Sequence, residues 1–201
     1  METEKHRKLT EVARALNAAH PAPLGLPPLF FFTDEHRTPE PLHIIGGLPK
    51  GCGVVFRHYG IAARAGLARR VSAACRAQDR ILLIAGDAEL AQTANADGLH
   101  LPSHMLRTLM DLPPARVVTA SVHNTDEIRR AETLGVDAVF LSPVFATASH
   151  PIATGLGIEL FTELVAATRL PVYALGGITA ETAPALMGSG ANGLAAIDGL
   201  N

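Results

Sequence analysis

Short apolar runs recur along this chain, separated by stretches with helical spacing, and that alternation restricts the fold more than any other feature. The runs predict strands at Leu29–Phe32, Gly53–Phe56, 81–84, Gly98–Leu101, 116–119, Ala138–Leu141, Val172–Ala174 and 193–197. They are aliphatic or β-branched and lack a clean in/out alternation, as strands buried on both faces do. Helical stretches between them include 62–76, Thr125–Leu134, 158–168 and 180–187. Repeated βα units imply a parallel sheet with right-handed crossovers. Eight strands favour closure into a (β/α)8 TIM barrel; an open doubly wound sheet is the alternative. The 201 residues fit one such domain near its lower size limit.

Local signals mark the ends of several helices. Asn124 followed by Glu127 resembles a capping box, and Thr179 can cap a helix after Gly176-Gly177-Ile178. Gly135 and Gly190 follow helical stretches and suit left-handed C-terminal positions. Residues 1–28 are expected as an N-terminal helix with an extended, proline-rich lead-in, and residues 29–201 as the barrel. Within residues 1–20, Leu9, Val12, Ala13 and Leu16 share one helical face. The chain stops just after the eighth strand, so we expect no final helix. The N-terminal helix should instead cover the surface between strands eight and one.

Composition narrows the partners. Hydrophobic residues make up 48% of the chain and charged residues 18%, enough apolar material for a sizeable core. The net charge of -2 carries no basic excess, so neither nucleic acid nor an anionic membrane is expected as a partner. Cys52 and Cys75 form no CxxC pair and suit a reducing compartment. No signal-peptide pattern and no apolar run of membrane-spanning length appear, so the expected location is the cytoplasm. Barrel exteriors commonly pair, which makes a homodimer an expectation without a specific interface signal.

In a (β/α)8 barrel the chemistry sits at the carboxyl ends of the strands. The chain places a polar set there: Asp34, Arg57, His58, Tyr59, Gly86, Asp87, Ser103, Ser121, His123, the segment 142–150 with Thr147 and His150, Gly176, Gly177 and Asp198. Gly176-Gly177-Ile178 follows the seventh strand and precedes a helix start. Such glycines let backbone N–H groups approach an anion, and barrel phosphates often bind after strands seven and eight. A tight turn that merely needs glycine is the alternative. Ala196, Ile197 and Asp198, at the end of strand eight, would complete the phosphate cup, although the Asp198 carboxylate would repel a phosphate unless it points away. His123, between the fifth strand and a capped helix, is placed to shuttle protons near neutral pH, or only to bond loop carbonyls. Arg57 could hold a carboxylate or phosphate, or form an ion pair with Asp34 or Asp87. The histidines near the mouth, His58, His100, His104, His123 and His150, lack a convincing ligand spacing, so no metal site is expected.

Taken together, these residues make the chain similar to the thiamin phosphate synthase/TenI superfamily from Leu29 onward. The carrying stretches are Phe32-Thr-Asp34, Phe56-Arg57, Glu89-Leu-Ala91, Ala96-Asp-Gly-Leu-His-Leu101, Ser121-Val-His123, Gly135-Val-Asp137, Ser142-Pro-Val-Phe145 with Thr147, Pro171-Val-Tyr-Ala-Leu-Gly-Gly-Ile178 and Gly190-Ala-Asn-Gly193. The resemblance implies a barrel that binds a thiazole phosphate. Synthases of the family join the thiazole to a pyrimidine diphosphate with magnesium and release pyrophosphate. The TenI branch resembles a thiazole tautomerase, which aromatises a thiazole carboxylate phosphate by moving a proton.

Departures from the synthase pattern bear on that choice. The synthase lysine two positions after Arg57 is Tyr59 here. The Asn-Asp pair whose aspartate helps bind magnesium is Ala85-Gly86. The Gly-Gln-x-Asp segment with the second carboxylate is Pro102-Ser-His-Met105, and the lysine after strand six is His150. Magnesium needs carboxylate oxygens and a diphosphate leaving group needs cations. Glycine at 86, Leu101-Pro-Ser103 and Ser121-Val-His123 resemble the TenI branch. The expectation is therefore a TenI-like thiazole tautomerase without a cofactor. His123 would be the acid/base, with Arg57, Ser103, Ser121, Thr147 and His150 around the substrate. Gly176, Gly177, Ile178, Ala196, Ile197 and Asp198 would surround its phosphate. The alternatives are a magnesium-dependent synthase and a non-catalytic thiazole-phosphate binder.

Overall fold

The structure is a computed structural model that describes residues 4–146 and 155–201. Eight parallel strands close into a barrel in chain order: β1 (Leu29–Phe32), β2 (Gly53–Phe56), β3 (Leu82–Ala85), β4 (Gly98–Leu101), β5 (Val118–Val122), β6 (Ala138–Leu141), β7 (Val172–Ala174) and β8 (Gly193–Ala196). Closure is made by β1 against β8, with Leu29 opposite Leu194 and Phe31 opposite Ala196. Helices lie outside: α1 (Glu4–Ala19), α2 (Pro41–Gly47), α3 (Arg64–Arg76), α4 (Ala88–Thr93), α5 (Ser103–Leu106), α6 (Thr125–Leu134) and α7 (Gly157–Ala166). The barrel expected from the alternating runs is the fold observed.

Strand period two divides the core in two. One apolar set, with Phe31, Val54, Phe56, Ile84, Leu99 and Val139, meets the helices. The other, with Phe30, Phe32, Val55, Leu83, Phe140, Tyr173 and Ala195, fills the barrel. Both faces are buried, which is why the strands show no polar alternation. Inside, Phe30 meets Phe140 and Tyr173 edge-on at centroid distances of 5.3 Å.

Helix α1 buries Leu9, Thr10, Ala13 and Leu16. It touches β8, β1 and the turns before and after β8. Asn17 Nδ2 donates to the Asn192 carbonyl (3.1 Å), and Asn192 Nδ2 donates to the His20 carbonyl (2.9 Å), tying the helix end to the start of β8. This is the position between strands eight and one expected for it.

Three expectations need correction. The 180–187 stretch is not an α-helix but a 3-10 turn, Ala183–Leu186, because Pro184 removes a backbone donor inside so short a segment. The third strand starts one residue later than expected and the fifth runs Val118–Val122 rather than 116–119. In both cases a carboxylate sets the start: Asp97 Oδ2 accepts from Leu82 N (2.8 Å) and Asp137 Oδ2 from Val118 N (2.7 Å). Third, Glu127 does not close the capping box as expected. Asn124 Oδ1 accepts from Glu127 N (2.9 Å), but Glu127 Oε2 accepts from His123 N (2.8 Å), one residue upstream of the cap. Gly135 closes α6 in the left-handed conformation.

Candidate active site

The carboxyl ends of the strands surround a cavity of about 730 Å³. Its wall combines Arg37, Arg57, Tyr59, His100, Ser103 and His104 on one side with Ser121, His123, Ser142, the Gly176–Thr179 turn and residues 196–199 on the other. Of the residues expected around the substrate, Arg57, Ser103, Ser121 and His123 line it, as do Gly176, Gly177, Ile178, Ala196, Ile197 and Asp198. Thr147 and His150 lie outside the described residues.

The turn after β7 is built to present N–H groups. Gly176 (φ 94°) and Gly177 (φ 67°) both take left-handed backbone. A Cβ on Gly176 would come within 2.6 Å of Pro143 Cα, and one on Gly177 within 2.7 Å of the Ala146 carbonyl oxygen, so no side chain fits. The carbonyls are occupied: Val144 N donates to Leu175 O (3.0 Å), Phe145 N to Gly176 O (3.1 Å) and Thr182 Oγ1 to Gly177 O (2.8 Å). The same Thr182 hydroxyl accepts from Thr179 N (2.9 Å), and Thr179 Oγ1 caps the next turn by accepting from Glu181 N (3.2 Å). By contrast, the N–H groups of Gly176, Gly177, Ile178, Ile197 and Asp198 make no hydrogen bond among the described residues. All five residues line the cavity, and unpaired backbone donors are groups that an anion can engage.

Asp198 is one of these residues, and its carboxylate is taken by a residue that sequence reasoning did not single out. Arg37, in the loop after β1, donates from Nε to Oδ1 (3.0 Å) and from Nη2 to Oδ2 (2.7 Å). No local pattern marks Arg37, since its partner is 161 positions away and barrel closure alone brings the two together.

His123 sits at the end of β5. Its Nδ1 donates to the Ser142 carbonyl (2.7 Å), with Ser142 Oγ 3.3 Å from the same nitrogen. A carbonyl can only accept, so the neutral ring carries its proton on Nδ1 and leaves the Nε2 lone pair free to act as a base. The Glu127 bond to its backbone N–H and the Ser142 bond to its ring hold the side chain from two elements.

His100, deeper in the barrel, is fully bonded. Nδ1 pairs with Thr119 Oγ1 (2.9 Å) and Nε2 with Ser121 Oγ (2.8 Å), and Phe32 and Phe140 meet its ring edge-on. Burial lowers its pKa to about 3, assisted by the Arg57 charge, so it is neutral at any ordinary pH. His58, expected at the mouth, is instead buried: its ring stacks on Phe56 and its Nδ1 pairs with Thr33 Oγ1 (2.9 Å). Its Nε2 is buried with no hydrogen-bond partner among the described residues.

Of the two roles open to Arg57, the ion pair is the one formed. Nη2 donates to Asp34 Oδ2 (3.1 Å), Nε to the Thr33 carbonyl (3.1 Å), and the guanidinium lies 5.4 Å from the Phe32 ring centre. Burial disfavours the Asp34 carboxylate, but backbone N–H bonds from Arg37 and His36 and the nearby Arg57 and Arg37 charges outweigh it, and its pKa stays below the ordinary range. Asp87 is also committed. Its Oδ1 caps α4 through Leu90 N (2.8 Å), and its Oδ2 pairs with Arg64 Nη1 (3.1 Å). Arg64 also donates to the Ala85 carbonyl (2.6 Å) and lies 5.3 Å from the Tyr59 ring centre. Sequence reasoning missed Arg64 because it opens α3 rather than following a strand directly, and only its guanidinium reaches Ala85 at the end of β3.

Comparison with known proteins agrees with this architecture. The family described as thiamine monophosphate synthase, TMP-TENI, matches residues 53–200. The chain is 30% identical over 175 residues to a thiamine-phosphate synthase of Anoxybacillus flavithermus, covering 81% of this chain and 80% of that protein. It is 32% identical over 135 residues to a thiamine-phosphate synthase of Synechococcus sp. CC9605, where the match spans 65% of this chain but only 38% of the relative. In fold it is similar to the thiamine phosphate pyrophosphorylase of Pyrococcus furiosus, at a TM-score of 0.69 and 24% identity, over 87% of this chain and 86% of that one. No helix among the described residues is long and apolar enough to cross a membrane. On the family match, the chain belongs to the thiamin phosphate synthase/TenI superfamily.

Proposed function

We propose that this protein acts on a thiazole phosphate in thiamin biosynthesis, as a tautomerase that moves a proton on the thiazole ring. The N–H groups of Gly176, Gly177, Ile178, Ile197 and Asp198, unpaired among the described residues, would hold the phosphate. His123 Nε2 would take a proton from one ring atom and return it to another, with no net change in protons. The Ser142 carbonyl stabilises the imidazolium formed midway, because Nδ1–H donates to it in both states. Ser103 and the remaining Nη1 face of Arg57 would orient the substrate carboxylate.

The observation that carries this reading against its rival is the state of Asp87. The donors do not fit magnesium: both Asp87 oxygens are engaged, Gly86 has no side chain, and residues 102–105 contain no carboxylate. The rival is coupling of the thiazole phosphate to a pyrimidine diphosphate. It is favoured by the names of the relatives, which are synthases, and nothing in those comparisons singles out the tautomerase branch.

Calorimetric titration tests the choice. Binding of the thiazole carboxylate phosphate without metal is the expected result and would justify a turnover assay. Tight, magnesium-dependent binding of the pyrimidine diphosphate would overturn the tautomerase reading in favour of the synthase.

A further inference from the structure

A carboxylate beside a phosphate cradle is costly, because two negative charges a few ångströms apart repel strongly where solvent is thin. Asp198 lines the cavity directly after β8. It opens the turn whose N–H groups face the cavity, while its side chain remains 57% exposed. Both of its oxygens are held by the Arg37 guanidinium in a two-pronged geometry. Arg37 is itself anchored at the backbone: its N–H donates to Asp34 Oδ1 (3.1 Å) and its carbonyl accepts from Asn201 Nδ2 (3.3 Å). Asp34 is in turn paired with Arg57. The rim from β2 past β1 to β8 is thus a run of alternating charges: Arg57, Asp34, Arg37, Asp198.

A half-exposed ion pair adds little to stability, typically about 0–1 kcal/mol. Its effect is greater on what can approach the cradle. We propose that Arg37 is a positioning residue for phosphate binding. It holds the Asp198 carboxylate on the β1 side of the cradle and neutralises it, so that the N–H groups of Ile197 and Asp198 are open to a phosphate monoester. The Arg37 charge is then needed because Asp198 is charged. This inference rests on the phosphate reading of the cradle given above.

The test is a double-substitution cycle read with two probes, the thiazole carboxylate phosphate and the same thiazole without its phosphate. Arg37→Gln should weaken binding of the phosphorylated probe by about ten-fold or more. It should leave the dephosphorylated probe within about two-fold, which a general disturbance of the loop would not do. Asp198→Asn alone should bind the phosphorylated probe more tightly than the parent, since it removes the negative charge and frees the Arg37 guanidinium. The double variant should recover affinity to within about three-fold of the parent, since the uncompensated charge is gone. Parent-like binding by Arg37→Gln would overturn the proposal, and so would a double variant as weak as Arg37→Gln. If the parent protein itself does not distinguish the two probes, the phosphate cradle fails, and this inference fails with it. Asp198→Asn keeps the test open even if Arg37→Gln does not fold, because a loss of phosphate affinity in it contradicts the proposal directly.

Discussion

At the residue scale, His123 and His100 show how surroundings divide two identical side chains. His123 has one nitrogen committed to the Ser142 carbonyl and the other available at the cavity. His123→Gln should lower turnover by about 100-fold or more while leaving thiazole phosphate affinity nearly unchanged, as steady-state kinetics would reveal. Near-normal turnover would remove it from the mechanism. His100 has both nitrogens committed to hydroxyls inside the barrel. Its folded pKa of about 3 lies below the ordinary 6.5, so between those values the unfolded chain binds a proton that the folded chain does not. Stability should therefore fall as pH drops below about 6.5 and stop falling, on this account, near 3. His100→Gln should be less stable at pH 7 through lost hydrogen bonds, yet its urea midpoint should decline less steeply between pH 7 and 5. An unchanged slope would show that other groups govern that range. The His123 and Gly176–Gly177 positions were legible in the sequence because strand ends and glycine pairs are local signals. The Arg37–Asp198 pair was not, because only the pairing of β1 with β8 brings it together, and Arg64–Asp87 was not, because Arg64 stands at a helix start rather than at a strand end.

At the element scale, α1 covers the seam between β8 and β1. It buries Leu9, Ala13 and Leu16 against the barrel. Two buried leucines and an alanine contribute on the order of 4 kcal/mol. Removing residues 1–20 should lower the thermal midpoint by about 8–16 °C in a chain of this size. A truncated chain melting with the parent would show that α1 is dispensable. The helix itself was legible from its spaced apolar face. The segment between β7 and β8 was harder, since the 180–187 stretch has helical spacing but Pro184 and the adjacent turn hydrogen bonds limit it to one 3-10 turn.

At the scale of the whole molecule, the cradle draws on β7 and β8 and is flanked by the loop after β1, the same strands that close the barrel. A phosphate bound there should stabilise the fold as a unit. At a ligand concentration of about 100 times Kd, the gain is about 2.7 kcal/mol, or a rise of about 5–11 °C in the melting midpoint. Differential scanning fluorimetry with the thiazole phosphate measures this directly, and an unmoved midpoint at saturation would argue that no such site binds. By itself, the sequence determined the strands, the order of the βα units and the glycine turn, because these follow from short-range periodicity and local backbone demands. The tertiary structure alone decided which charges meet. It spent Arg57 and Asp87 on internal pairs, turned His58 into the core and set Arg37 against Asp198. The Arg37–Asp198 pair depends on closing the barrel at β1 and β8, and the others on the pairing of neighbouring strands β1, β2 and β3.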